Sequence, residues 1–220
     1  MNPRYLLGLD AGGGGLRCLL IDTETRRITT AAQLWSAHRV PAGGAWARKL
    51  DLPAIWRTLI ATTQHALGRA GAEPAQVLGL AVTSMRHSLV LLDARGEACF
   101  AVPNLDARAS AEAMELAQER GPQLYARTGH WPAPILLAAR LLWLARNAPE
   151  TLAAARQAFT LSDWLAYRLT GVAAAERSHA GETLLLDLNT RAWAGDLIAD
   201  LQLPHALCLP LQDAGAHLGT

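Results

Sequence analysis

The chain is poor in cysteine and nearly neutral, and it has no long apolar run; each shortage closes off a class of function. Cys18, Cys99 and Cys208 are odd in number, widely spaced and form no Cys-x-x-Cys. Neither a disulfide framework nor a zinc site is indicated, and a reducing cytoplasm is the expected compartment. The seven histidines are scattered, with no His-x-His and no His-Glu-x-x-His, so no metal site built from protein alone is expected. Net charge is +1 and there is no run of Lys or Arg. The positive stripe that nucleic acid or an anionic membrane requires is missing, and neither partner is expected. The most apolar stretch, residues 135–145, is interrupted by Arg140 and falls far short of the roughly 20 residues that span a bilayer. Asp10 and the glycines after it break the one early apolar run, which argues against a signal peptide. A Gly-x-Ser-x-Gly elbow and a protease-type Cys/His pairing are also lacking, so hydrolase chemistry starts with little support.

What is present is a globular composition, 220 residues with 51% hydrophobic and 18% charged, enough to bury a sizeable core in one domain with room for a lobe. The most informative segment is the first. An apolar run ends at Asp10, then come Ala11, Gly12, Gly13, Gly14 and Gly15, then a second apolar run closes at Asp22. This predicts a β-hairpin whose glycine turn, free to take positive φ, brings several N–H groups to one anion, with Asp10 placed to hold a magnesium ion through water. ATP is the expected ligand. The P-loop and Rossmann motifs are set aside: both lead glycines into a helix, whereas a leucine-rich strand follows here, and no Gly-Lys-Ser/Thr is present. A loose hairpin without a ligand is the structural alternative.

Strands over residues 5–10, 16–22 and 28–35 predict an antiparallel meander. Asp51 is placed to cap a helix with Leu52, Ile55, Trp56, Leu59, Ile60, Thr63, Leu67 and Ala70 on one stripe, ended by Gly71 and covering one sheet face. Residues 77–83 predict a buried strand, residues 89–92 and 98–102 a hairpin, and residues 107–120 an amphipathic helix. The later half is helical: residues 135–147, a short helix after Pro149, residues 163–170 capped by Ser162 and ended by Gly171, and residues 193–201. A three-strand meander followed by helix and strand units is the order of an α/β ribonuclease H-like domain, with a mixed sheet and flanking helices, as in the actin-like ATPase and hexokinase superfamily.

At these residues the chain resembles the N-terminal, sugar-side domain of the FGGY carbohydrate kinases, over essentially residues 1–220. Gly8-Leu9-Asp10-Ala11-Gly12 with Arg17 resembles the first phosphate motif; Ser84-Met85-Arg86-His87 and the hairpin after it resemble the sugar-contact loop; Asn104-Leu105-Asp106-Ala107-Arg108 falls on the next sugar-side loop. Thr128-Gly129, residues 162–171, and Ala180-Gly181 with Thr183 and Asp187 continue the series in order. Within the family the residues look most like autoinducer-2 kinases, which act on a short linear dihydroxy-diketone, and next like xylulokinases. The resemblance implies transfer of the γ-phosphoryl of ATP, with Mg2+, to a hydroxyl of a small sugar or polyol. It implies that Asp10, Gly12, Gly13, Gly14, Gly15 and Arg17 hold phosphate and magnesium, and that Arg86, His87, Asn104 and Asp106 bind the acceptor. The catalytic aspartate would belong to a C-terminal ATP-binding domain beyond Thr220.

Three departures qualify that picture. Arg86-His87 is a hybrid, because glycerol-type and autoinducer-type members tend to follow Arg with Glu while xylulokinases use Met-His; an imidazole replaces an obligate acceptor by a group whose state varies with pH. Gly13 and Gly14 stand where relatives usually carry Thr or Ser, a loss of about 1 kcal/mol per missing hydrogen bond unless the backbone closes in. The chain stops about where the second domain begins, so the 220-residue piece alone is expected to be inactive. Residue by residue, a structural role competes: Asp10 as a turn cap, Arg17 as a surface charge, Arg86 and His87 as a loop pair, Asp106 as a helix N-cap. Trp143, Trp164 and Trp193 are expected to be packing residues. A non-catalytic sugar-binding or regulatory module is the rival function and an actin-like assembly protein a third. A domain that normally packs on another exposes apolar surface, so self-association, a homodimer among its forms, is expected.

Overall fold

Period-two burial runs along the first two strands, residues 5–12 and 15–22. In this computed structural model, residues 4–40 and 45–219 are described; residues 1–3, 41–44 and Thr220, the expected domain end, lie outside the described residues. The chain divides into two compact units, Met1–Ala37 with Leu50–Met85, and His38–Lys49 with Arg86–Thr220.

In the first unit, β1 (Tyr5–Gly12), β2 (Gly15–Asp22) and β3 (Ile28–Leu34) form the antiparallel meander, and β6 (Val77–Ser84) joins β1 in parallel, giving the order β3-β2-β1-β6. Leu7, Leu9 and Ala11 of β1 and Leu16, Cys18 and Leu20 of β2 point to the buried face, as alternation along a half-covered strand requires. Helix α1 (Leu52–Ala70) covers that face over β2 and β3. The Asp51 carboxylate accepts from the Ala54 N–H at 2.9 Å and Gly71 leaves the helix with φ 64°, the two ends expected from those residue types. The buried stripe is Leu52, Ile55, Leu59, Thr62, Ala66 and Leu67; Ile60 sits off it and is exposed. Strand β6 is not the buried strand its apolar sequence suggests. Leu78 and Leu80 are 55% and 46% exposed, because β6 is the edge strand and α1 packs over β2 and β3 at the other edge of the sheet.

The second unit is built on β7 (Leu89–Asp93), whose Leu89, Val90, Leu91 and Leu92 are all buried between β8 (Ala98–Val102) and β9 (Ala155–Phe159), antiparallel on both sides. A small pair, β4 (His38–Arg39) and β5 (Arg48–Lys49), belongs to this unit. Helices α2 (Ser110–Thr128), α3 (Leu137–Asn147), α4 (Pro149–Ala154), α5 (Leu161–Thr170), α6 (Arg177–Gly181) and α7 (Gly195–Asp200) follow. Leu91, Leu116, Leu124, Leu141, Leu144 and Leu185 lie in the core they enclose.

Several boundaries differ from the sequence expectation. Helix α2 starts at Ser110 and runs past Gly121 and Pro122 to Thr128; the Trp131 ring lies where a Cβ on Gly121 would sit, 2.6 Å away, so this glycine serves close packing rather than termination. The cap of α5 is Thr160, whose Oγ1 accepts from the Asp163 N–H, and not Ser162, which lies inside the helix. Trp193 belongs to a two-residue strand, and helix α7 begins at Gly195. Strand β9 falls in a stretch rich in alanine and without β-branched residues, so its sequence carries no strand signal.

Candidate functional site

The loops of the second unit that carry the expected acceptor residues are tied together by one buried side chain. Arg140, in the first half of α3, is 2% exposed. Its Nη1 donates to the carbonyl of His87 at 2.5 Å, and its Nη2 to the carbonyls of Pro103 and Asp106 at 2.7 and 3.1 Å. Burial draws this guanidinium down to about 10, with Asp106 pulling the other way, so it stays charged at neutral pH. A fork of donors in a low-dielectric setting fixes three carbonyls at once and ties the backbone at His87 to the loop from Pro103 to Asp106.

Asp106 is fully enclosed. One oxygen, Oδ2, accepts from the Arg48 N–H at 2.7 Å, and the Arg108 guanidinium reaches both oxygens, Nε at 3.0 and 2.9 Å and Nη2 at 2.8 Å. Arg108 also donates to the Arg48 carbonyl and lies over the rings of Phe100 and Trp143, 5.2 and 5.0 Å from their centroids. Trp143 therefore stacks on a cation as well as packing. Asp106 is not the cap of α2, which Ala109 occupies without a side-chain bond. Its carboxylate is committed to the loop rather than to open space. Asn104, on the same loop, is half-buried.

Arg86 and His87 follow β6 in the chain. Arg86 is largely exposed and its Nη1 bonds Glu182 Oε1 at 2.9 Å; His87 Nδ1 lies 3.8 Å from Glu182 Oε2. His87 has φ 56°, a left-handed backbone that a non-glycine residue holds only when its surroundings insist, as the bond from Arg140 to its carbonyl does here. Burial pushes the His87 imidazole below 6.5, opposed by Glu182 and reinforced by Arg86, Arg140 and His130.

The residues expected to hold phosphate belong to the first unit. Gly12 and Gly15 pair across the hairpin and Gly13 and Gly14 make its turn. None of Gly12, Gly13, Gly14 and Gly15 takes a left-handed φ, contrary to the expectation of positive φ at this turn. What demands glycine is Gly15, where a Cβ would stand 2.7 Å from the Gln33 carbonyl of β3; Gly13 and Gly14 face open space. The Asp10 side chain is 40% exposed and accepts from Arg17 Nη1 at 3.1 Å, while Arg17 is mostly in solvent. An exposed carboxylate paired with a solvent-facing guanidinium beside an open turn suits a nucleotide-borne cation and its phosphates. Among the described residues no group of three or more His, Cys, Asp or Glu could hold a metal ion by itself.

Residues 5–220 match the FGGY family of carbohydrate kinases, N-terminal domain. The chain belongs to that family. Over 222 residues it is 35% identical to an autoinducer-2 kinase of Enterobacter sp. (strain 638), covering 98% of this chain and 41% of the relative. Among solved structures it resembles a xyloylose kinase from Brucella ovis (TM-score 0.82, 30% identity, 94% of this chain and 43% of that one). A xylulose kinase from Rhodospirillum rubrum superposes with TM-score 0.87 at 25% identity, over 99% of this chain and 45% of that one. The FGGY chain described here thus spans about two-fifths of the length of the curated relatives it matches. Its actin-like ATPase fold, with mixed sheet and flanking helices, is that of these kinases.

In this FGGY domain two residues near the Arg86-His87 loop escaped sequence reasoning. Arg140 left a signal, a lone charge in the most apolar stretch, which reads first as an interruption of a membrane span. Glu182 left none, since it lies 96 positions from Arg86. Among the described residues no helix is long and apolar enough to cross a membrane.

Proposed function

We propose that this chain is the acceptor-binding part of an ATP-dependent carbohydrate kinase, acting on a small linear hydroxyketone or polyol of the autoinducer-2 precursor or pentulose type. The observation that carries the proposal is the Arg140 fork, which gathers the segments bearing Arg86, His87, Asn104 and Asp106 into one rigid frame. Preorganised donors and acceptors of this kind bind hydroxyls without a reordering cost.

In this reading Arg86 donates to an oxygen of the acceptor, His87 and Asn104 complete its hydrogen bonds, and Asp106 acts through the loop it locks with Arg108. Gly12, Gly13, Gly14 and Gly15 with Arg17 receive phosphate, and Asp10 holds the cation. Magnesium-bound ATP supplies the phosphoryl group and neutralises the charge that develops on the leaving phosphate. Transfer itself needs a base and an adenosine pocket, assigned here to the remaining three-fifths of the relatives' length, so the kinase domain carrying them is the expected partner. Gly13 and Gly14, which bring no hydroxyl, favour one second reading, a sugar-binding module without turnover.

An ATP-coupled assay decides between them. The chain alone should turn over neither D-xylulose, glycerol nor the autoinducer-2 precursor. Joined to the C-terminal part of an autoinducer-2 kinase, it should phosphorylate one of them, and Asp10→Asn should remove that activity. Binding without turnover in the joined protein would favour the module, and turnover by the chain alone would contradict the assignment of the base.

A further inference from the structure

Two polar side chains at the sugar-contact loop, Arg86 and His87, share one carboxylate. Glu182, just past α6, accepts from Arg86 Nη1 through Oε1 at 2.9 Å. Its other oxygen, Oε2, is buried without a hydrogen-bond partner, and so is His87 Nδ1; these two atoms face each other at 3.8 Å. Two unpartnered buried polar atoms this close have one economical resolution, because a movement of about 1 Å closes the gap to hydrogen-bond distance.

We propose that Glu182 is the positioning residue of the acceptor site, holding the Arg86 guanidinium with Oε1 and the Nδ1–H of His87 with Oε2. The consequence is a defined tautomer. With Nδ1–H donated to Glu182, the neutral imidazole keeps Nε2 as its acceptor. The site then offers an acceptor from His87 beside a donor from Arg86, matched to adjacent oxygens of a polyol or hydroxyketone: a hydroxyl that donates to Nε2 and a neighbouring oxygen that accepts from the guanidinium. An aldose lacking a free adjacent pair in open-chain form fits less well. The charged and titratable groups facing His87 are Glu182, Arg86, Arg140 and His130. Burial and the three cationic or titratable neighbours other than Glu182 favour neutral imidazole, and Glu182 opposes them, so the ring is an acceptor at neutral pH. This inference rests on the acceptor-site reading above.

The test follows the His87 ring nitrogens by NMR in the full chain, with and without D-xylulose. In the wild type Nδ1 should carry the proton. Glu182→Gln removes the charge that raises His87, so its titration should move further down, while Arg86→Ala should move it up. Xylulose affinity should fall about tenfold or more in Glu182→Gln, the size expected for loss of charge-assisted bonds, with the circular dichroism unchanged. If Glu182→Gln leaves tautomer, titration and xylulose affinity as they were while Arg86→Ala still abolishes binding, the inference falls and the acceptor site stands. If xylulose shifts no His87 resonance in the wild type, both fall.

Discussion

Arg140 is the residue on which most of the site depends. Its guanidinium reaches three carbonyls in a buried place, and removing it leaves those of His87 and Asp106 without that donor, at about 1–3 kcal/mol for each group unsatisfied, while the Pro103 carbonyl keeps the Asp106 N–H. Arg140→Met, which keeps the volume, should cost on the order of 3 kcal/mol or more and shift the urea midpoint accordingly; an unchanged midpoint would mean that the carbonyls find other donors. The glycine turn divides in the same way. Gly15→Ala drives a Cβ to 2.7 Å from the Gln33 carbonyl and should cost about 1–3 kcal/mol, whereas Gly13→Thr and Gly14→Ser enter open space and should leave the melting temperature nearly unmoved. The added hydroxyls should tighten nucleotide binding in a protein that carries both kinase parts.

At the scale of elements, local chemistry accounts for much of what was foreseen. Alternation along β1 and β2, the cap at Asp51 and the left-handed exit at Gly71 are set by side chains within a few residues, so they are legible in one sequence. Asp51→Ala should lower stability by about 1 kcal/mol, measured by thermal melting, and Asp51→Asn should restore most of it. What escaped depends on distant neighbours. The exposure of β6 follows from where α1 lands on the sheet, the passage of α2 through Pro122 from packing across the unit, and β9 from pairing with β7. The site splits along the same line. Arg86, His87, Asn104 and Asp106 lie in short segments that local pattern singles out, but Glu182 and Arg140 join them only through tertiary contacts. Asp106 shows the limit most clearly, since no local feature tells that Arg108 and Arg48 enclose it.

At the scale of the whole molecule, the apolar edge strand matters most. Leu78 and Leu80 lie on β6, the edge strand beyond the reach of α1, and edge strands with exposed apolar side chains pair with other chains. Sedimentation should show concentration-dependent association of the isolated chain, suppressed by Leu78→Lys with Leu80→Lys; a monomer at every concentration would show that this face is tolerated in water. The central claim is that the loops gathered by Arg140 form an acceptor site. Calorimetric titration of the chain with D-xylulose, in the wild type and in Arg86→Ala, tests it most directly. The account predicts saturable binding that Arg86→Ala abolishes, and equal heats from the two proteins would contradict it.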